Sequence, residues 1–96
     1  MIQNSGSQLS TADAAVGVSG SAVRVFMMHV ISAGSGGIVS LRNGTSASDT
    51  AYDTETGTVG TGQTFYYGTQ GIFFPSGCFI DLDSNTTSVL VTFNLS

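Results

Sequence analysis

Two residues in this chain carry side chains suited to nucleophilic or metal chemistry: Cys78, the only cysteine, and His29, the only histidine. A cysteine nucleophile needs a neighbouring base and a lowered pKa, which His29 could supply only if the fold brought two separate strands together. Cys78 alternates with Ile80 and Leu82, the pattern of a core-facing strand. Free cysteine is among the most buried residue types, so Cys78 reads as a structural thiol. His29 alternates with Val25, Met27 and Ile31 and reads as a partly buried structural histidine. One His and one Cys fall short of a zinc set.

Asp81, Asp83 and Asn85 have the D-x-D-x-N spacing that opens a calcium loop. Such a loop continues with glycine at the sixth position and glutamate at the twelfth. Here those positions are Thr86 and Thr92, so the match stops halfway. The plainer reading puts Asp81 on the solvent face of a strand and builds a turn from Asp83, Ser84 and Asn85 through side-chain-to-backbone bonds. No metal is therefore assigned. Asp49, Asp53 and Glu55 could in principle pair for glycoside hydrolysis, but they fall in a polar stretch that reads as solvated loop. GSGG at 34–37 lacks the lysine and helix of a phosphate loop, and no G-x-S-x-G elbow occurs. The N-x-S/T triplets at Asn43, Asn85 and Asn94 read as turn and strand-end residues.

The elements that position these residues are strands. Ser, Thr and Gly make up 39 of the 96 residues, interspersed with Val, Ile and Phe, a mixture that favours short strands and tight turns over helices. Residues 1–8 read as a flexible N-terminal segment, and 9–96 as a single domain beginning with a strand from Leu9 to Val18. Residues 21–31 form the most strand-like segment, apolar on both faces. The segment 38–43 ends at Asn43-Gly44, a tight-turn signal. A polar region at 45–64 holds one edge strand near 50–54. A strand pair, or one broken strand, spans 64–74. Pro75-Ser76-Gly77 turns into a strand over 77–83, a turn follows, and 88–95 alternates with a period of two. Roughly seven to eight short antiparallel strands make an all-β domain, a small β-sandwich or jelly roll.

The charge pattern narrows the partners. The chain has no lysine, two arginines (Arg24 and Arg42), six acidic residues and a net charge of −4. Phosphate backbones need clustered Lys and Arg, and anionic membrane surfaces need a basic patch, so neither is an expected partner. No N-terminal basic and apolar run resembles an export signal, which predicts a protein kept in the cytoplasm or released by lysis. Core packing accounts for about half of the aromatic cluster Phe65, Tyr66, Tyr67, Phe73, Phe74 and Phe79. We therefore expect a subunit contact at Phe65, Tyr66, Tyr67, Phe73 and Phe74.

Two segments, HVISAGSGGIVSLRNGTSAS and GIFFPSGCFIDLDSNTTSVLVTF, together resemble small β-sandwich structural proteins of tailed bacteriophage virions. In those proteins a strand, a small-residue turn and V-x-L-R-N-G precede G-I-x-F-P-x-G-x-x-x-D. The resemblance covers roughly residues 29–93 and implies a capsid decoration (cement) protein or a tail-associated protein, with no active-site residue. The resulting expectation is a non-enzymatic virion component, assembled in a host cytoplasm, that binds the major capsid protein or another virion protein. It would use no cofactor and associate with copies of itself, a trimer being one arrangement. The alternatives are a module that recognises a host glycan through Tyr66, Tyr67 and the loop 45–62, with calcium at Asp81 and Asp83, and an enzyme built on Cys78 and His29.

Overall fold

A computed structural model describes residues 5–33 and 36–95 of the chain. Among them ten strands and no helix form a small β-sandwich of two sheets. They are β1 (Ser5–Ser10), β2 (Ala14–Ala15), β3 (Val23–Ser32), β4 (Ile38–Asn43), β5 (Ala51–Thr56), β6 (Thr58–Val59), β7 (Gln63–Tyr66), β8 (Ile72–Phe74), β9 (Cys78–Leu82) and β10 (Thr86–Leu95). The larger sheet runs β1-β10-β3, with β8, β7 and β6 in turn along the far edge of β3; the smaller runs β2-β9-β4-β5. All pairings are antiparallel except the two-residue pairing of β6 with β3, which departs from the all-antiparallel expectation.

The spine is the pair β3 and β10, ten residues each. Their register shifts twice, once near the start of β10 between Thr86 and Ser88, and once in mid-strand: Thr92 faces Met27 and Phe93 faces Val25, so Phe26 has no counterpart. This β-bulge reverses the alternation of β3. Val23 and Val25 point inward before it, and Met28 and Val30 after it, all four fully buried. The apolar character of both faces of 21–31 thus arises from a change of face within one strand. On the other side of β3 the same position is a gap between β7 and β8, where the Tyr67 N–H donates to the Phe26 carbonyl at 3.0 Å.

The inward residues of both sheets meet in one core that includes Leu41, Phe74, Cys78, Ile80, Val89 and Val91. Along one side, the Tyr52 ring of β5 stacks on Phe74 of β8 with centroids 5.3 Å apart, and the Tyr67 hydroxyl donates to Asp53 at 2.7 Å. Across the other side the chain passes from β1 to β2. There the Gln8 amide donates to the Ala15 carbonyl at 2.8 Å and accepts from the Gly17 N–H at 2.9 Å.

Two N-terminal expectations are corrected. Ser5 to Gln8 belong to β1, held in register along β10 from Ser5–Asn94 to Ser10–Val89; residues 1–4 of the expected flexible segment lie outside the described residues. The single strand from Leu9 to Val18 is instead two, because the Gln8 side chain fixes a change of sheet between Ser10 and Ala14. Residues 34 and 35 of the glycine-rich turn also lie outside the described residues. The 75–77 turn forms as expected: the Gly77 N–H donates to the Phe74 carbonyl at 3.2 Å, and Gly77 has φ +95°. A β-carbon on Gly77 would lie 3.0 Å from the backbone nitrogen of Gly20. Gly77→Ala therefore meets both a wrong-signed φ and a backbone clash, and should cost about 1–3 kcal/mol. Urea unfolding is the measurement, and a loss no larger than that from Gly60→Ala, where nothing lies within 4 Å, would remove the clash as the cause.

Candidate functional site: the outer face of the larger sheet

Cys78 and His29 face away from each other. Cys78 lies on β9 and points into the core, and burial pushes its thiol up to about 12, away from the reactive thiolate. His29 follows the bulge on β3 and stands opposite Leu90 and Thr64 on the outer side of the larger sheet. Its Nε2 lies 3.1 Å from the Thr61 carbonyl, which can only accept, so Nε2 carries a hydrogen. In the neutral ring Nδ1 then accepts from the Thr64 hydroxyl at 2.6 Å. The histidine ties β7 to the loop before it.

The acidic triplet is dispersed among structural tasks. Asp81 pairs with the Arg42 guanidinium at 2.9 Å on the outer side of the smaller sheet. The Asp83 carboxylate accepts from the Asn85 N–H at 3.0 Å and the Thr86 hydroxyl at 3.2 Å, closing the expected turn. Hydrogen bonding to the backbone of Ile38 first, with Asn85 and Thr86 adding to it, holds the Asp83 carboxyl below its ordinary value. Asp49 behaves alike: the Thr45 and Ser46 N–H groups donate to it at 2.8 and 3.0 Å and lower its pKa. Among the described residues no cluster of three or more His, Cys, Asp or Glu side chains forms, and no pocket opens.

Asp53 and Glu55 are not in a solvated loop. They face Leu41 and Val39 from β5, on the inner side of the smaller sheet. Burial is the main cause that raises the Glu55 pKa, with Asp53 beside it adding to the rise. Burial likewise pushes the Tyr67 hydroxyl up, reinforced by its bond to Asp53.

The expected aromatic contact set divides in two. Phe74 is fully buried and is corrected from contact surface to interior; Phe65 and Tyr67 are partly buried and pack against the core. Tyr66 and Phe73 remain outside, 78% and 40% exposed. Tyr66 stands beside Met27, and Phe73 beside Arg24. The Arg24 guanidinium lies 4.8 Å from the Phe73 ring centre and donates to the Gln70 carbonyl at 3.2 Å, a cation–π arrangement that flattens the pair onto the sheet. The same face continues through Met27, Ile31 and Leu90 to Leu9, which is 66% exposed. The sequence reading placed Met27 and Ile31 on one face with His29 but joined that face to Val25; the bulge at Phe26 separates them and turns Met27 and Ile31 outward, beside Leu90 and Leu9.

The charge distribution separates the two sheets. All six carboxylates belong to β5, β9 or the loops; no strand of the larger sheet carries one. Its outer face offers apolar and aromatic side chains, Ser and Thr hydroxyls, His29 and a single arginine. No protein-family model matches the chain, and no curated protein or solved structure matches it either.

The raised Glu55 pKa makes the stability of the fold depend on pH. A carboxyl whose folded pKa lies above its unfolded value near 4.5 keeps its proton better in the folded chain. Its contribution is fully present below the unfolded pKa and is lost as pH rises through the folded one. Asp49 and Asp83, shifted the other way, lose their contribution only as pH falls below about 3.8. Glu55→Gln should therefore raise stability at pH 7 and flatten the decline between pH 4.5 and 7. Denaturant midpoints across that range test this; a variant less stable than the parent at pH 7 would show that ionised Glu55 is favourably held.

Proposed function

We propose that the protein is a non-enzymatic virion structural component of the capsid decoration (cement) kind, which binds an assembled shell through the outer face of its larger sheet. The observation that carries this reading is the contiguous outward surface from Phe73 and Tyr66 to Leu90 and Leu9, rich in apolar groups and free of carboxylates. Exposed aromatic and aliphatic groups of this kind are enriched where subunits meet, and a contiguous apolar patch is a liability if left open to water. The resemblance of residues 29–93 to virion β-sandwich proteins supports the same reading. Binding only to the assembled state stabilises that state by mass action, which requires a surface and no catalytic group.

Purified protein should co-sediment with shells that lack it. Tyr66→Ser, at a residue whose ring is mostly in solvent, should leave the fold intact and weaken binding about tenfold, the effect of losing a contact of about 1.4 kcal/mol. No co-sedimentation with heads would overturn the decoration reading, and location at the tail would move the contact there. Binding to a glycan array that Tyr66→Ser abolishes would instead make Tyr66 and Phe73 a stacking platform for host sugars.

A further inference from the structure

The two sheets have four outer edges, and they are not equally protected. In the smaller sheet, β2 is two residues long, while β5 is bulged at Tyr52 and carries Asp53 and Glu55. In the larger sheet, the edge beyond β3 is divided among β6, β7 and β8, with loops between them. Short strands, bulges and charges are the devices by which edges resist pairing with another chain. The fourth edge, β1, has none of them. It pairs with β10 over six residues without a register slip, and its sequence SGSQLS contains no charge and no proline. Among the described residues no other strand pairs with its far side.

We propose that β1 pairs with β1 of a second copy, antiparallel about a twofold axis, joining the two larger sheets into one. An uncharged strand suits a copy of itself, since antiparallel self-pairing sets each residue against one of the same chain and no like charges meet. The faces restrict the register. Residues directly opposite in an antiparallel pair point to the same side, so outward Ser5, Ser7 and Leu9 must meet one another, and the axis must pass through a residue. Centring on Ser7 places Ser7 against Ser7, Ser5 against Leu9, and Gly6 against Gln8. Centring on Gln8 would instead oppose two Gln8 side chains, each already held by Ala15 and Gly17. The Ser7 register sets each Gln8 beside a glycine with no side chain to displace it. The resulting dimer makes the carboxylate-free outer face continuous across the axis.

So short a contact falls below the roughly 800 Å² per partner of a standard stable interface. The dimer therefore forms reversibly in the micromolar range or weaker. It is a property of the purified chain and stands or falls without the shell-binding reading.

Sedimentation of the purified protein from about 10 µM to about 1 mM, the range that brackets such affinities, should show a monomer–dimer equilibrium. Ser7→Lys, which brings two ammonium groups together at the axis, should leave the fold unchanged by circular dichroism and the protein monomeric throughout. Ser7→Cys should oxidise under copper phenanthroline and air to a covalent dimer, because Cα atoms about 4.5–5.5 Å apart across an antiparallel pair are within disulfide reach. Ser84→Cys, in the exposed 83–85 turn, is the control for random collision, and buried Cys78 stays unreacted in both variants. A parent that remains monomeric, an association that survives Ser7→Lys, or Ser7→Cys cross-linking no faster than Ser84→Cys each overturns the proposal.

Discussion

The pairing of β3 with β10, and the extra residue it accommodates at Phe26, determines what every other element touches. Before the bulge the odd-numbered residues of β3 reach the core, and after it the even-numbered ones do. Without the extra residue, the continued odd alternation would send Met27, His29 and Ile31 inward and leave Met28 and Val30 in water. The extra residue exchanges one apolar pair for another, burying Met28 and Val30 in place of Met27 and Ile31, and it leaves His29 outside with its polar partners Thr64 and Thr61. The same bulge opens the gap between β7 and β8, from which Tyr67 turns in to reach Asp53. Core, sandwich side and outer face are thus consequences of a single register.

A chain with two arginines and no lysine must manage its carboxylates by other means, and most of them here accept hydrogen bonds. Asp49 gathers the N–H groups of Thr45 and Ser46, Asp83 takes that of Asn85, and Asp13 takes that of Leu82. Asp53 takes the Tyr67 hydroxyl, and among the described residues Asp81 alone forms an ion pair. Carboxylates used in this way gather where the backbone leaves its ladders, in loops and at the edge of the smaller sheet. The larger sheet, with most of its N–H groups committed to ladder bonds, has no use for them. The segregation of negative charge from the outer face follows from how the loops are held, and it leaves that face able to meet another surface without repulsion.

Much of the fold was legible because period-two alternation survives wherever a strand runs without a slip. Cys78 and Ile80 are buried and Asp81 faces outward, as the alternation of β9 requires. The 75–77 and 83–85 turns fall where Pro, Gly, Asp and Asn place them. Two of the illegible parts share one cause: a position where two residues oppose one. The bulge at Phe26 hid that Met27 and Ile31 face outward with Leu90 and Leu9, and the one at Tyr52 hid the inward turn of Asp53 and Glu55. Nor could composition separate Tyr66 from Tyr67, neighbours of the same type, one in solvent and one bonded across the sandwich. Bulges leave no compositional mark, since any side chain that fits both neighbours can occupy one.

The surface itself is best understood as what remains once the core is satisfied. A thin sandwich has too few residues to bury both sides of its longest strands, so β3 and β10 show half their side chains to the outside. Natural sheets that stay alone in water make that half polar. Here it carries Met27, Ile31, Leu90 and Tyr66 among the hydroxyls, with Arg24 laid flat against Phe73. Each apolar group there forgoes the gain that a polar replacement would make in water, without helping the core. A surface built at that cost, on rigid strands and not on loops, presents a fixed shape. A partner can meet such a shape with little loss of conformational entropy on either side.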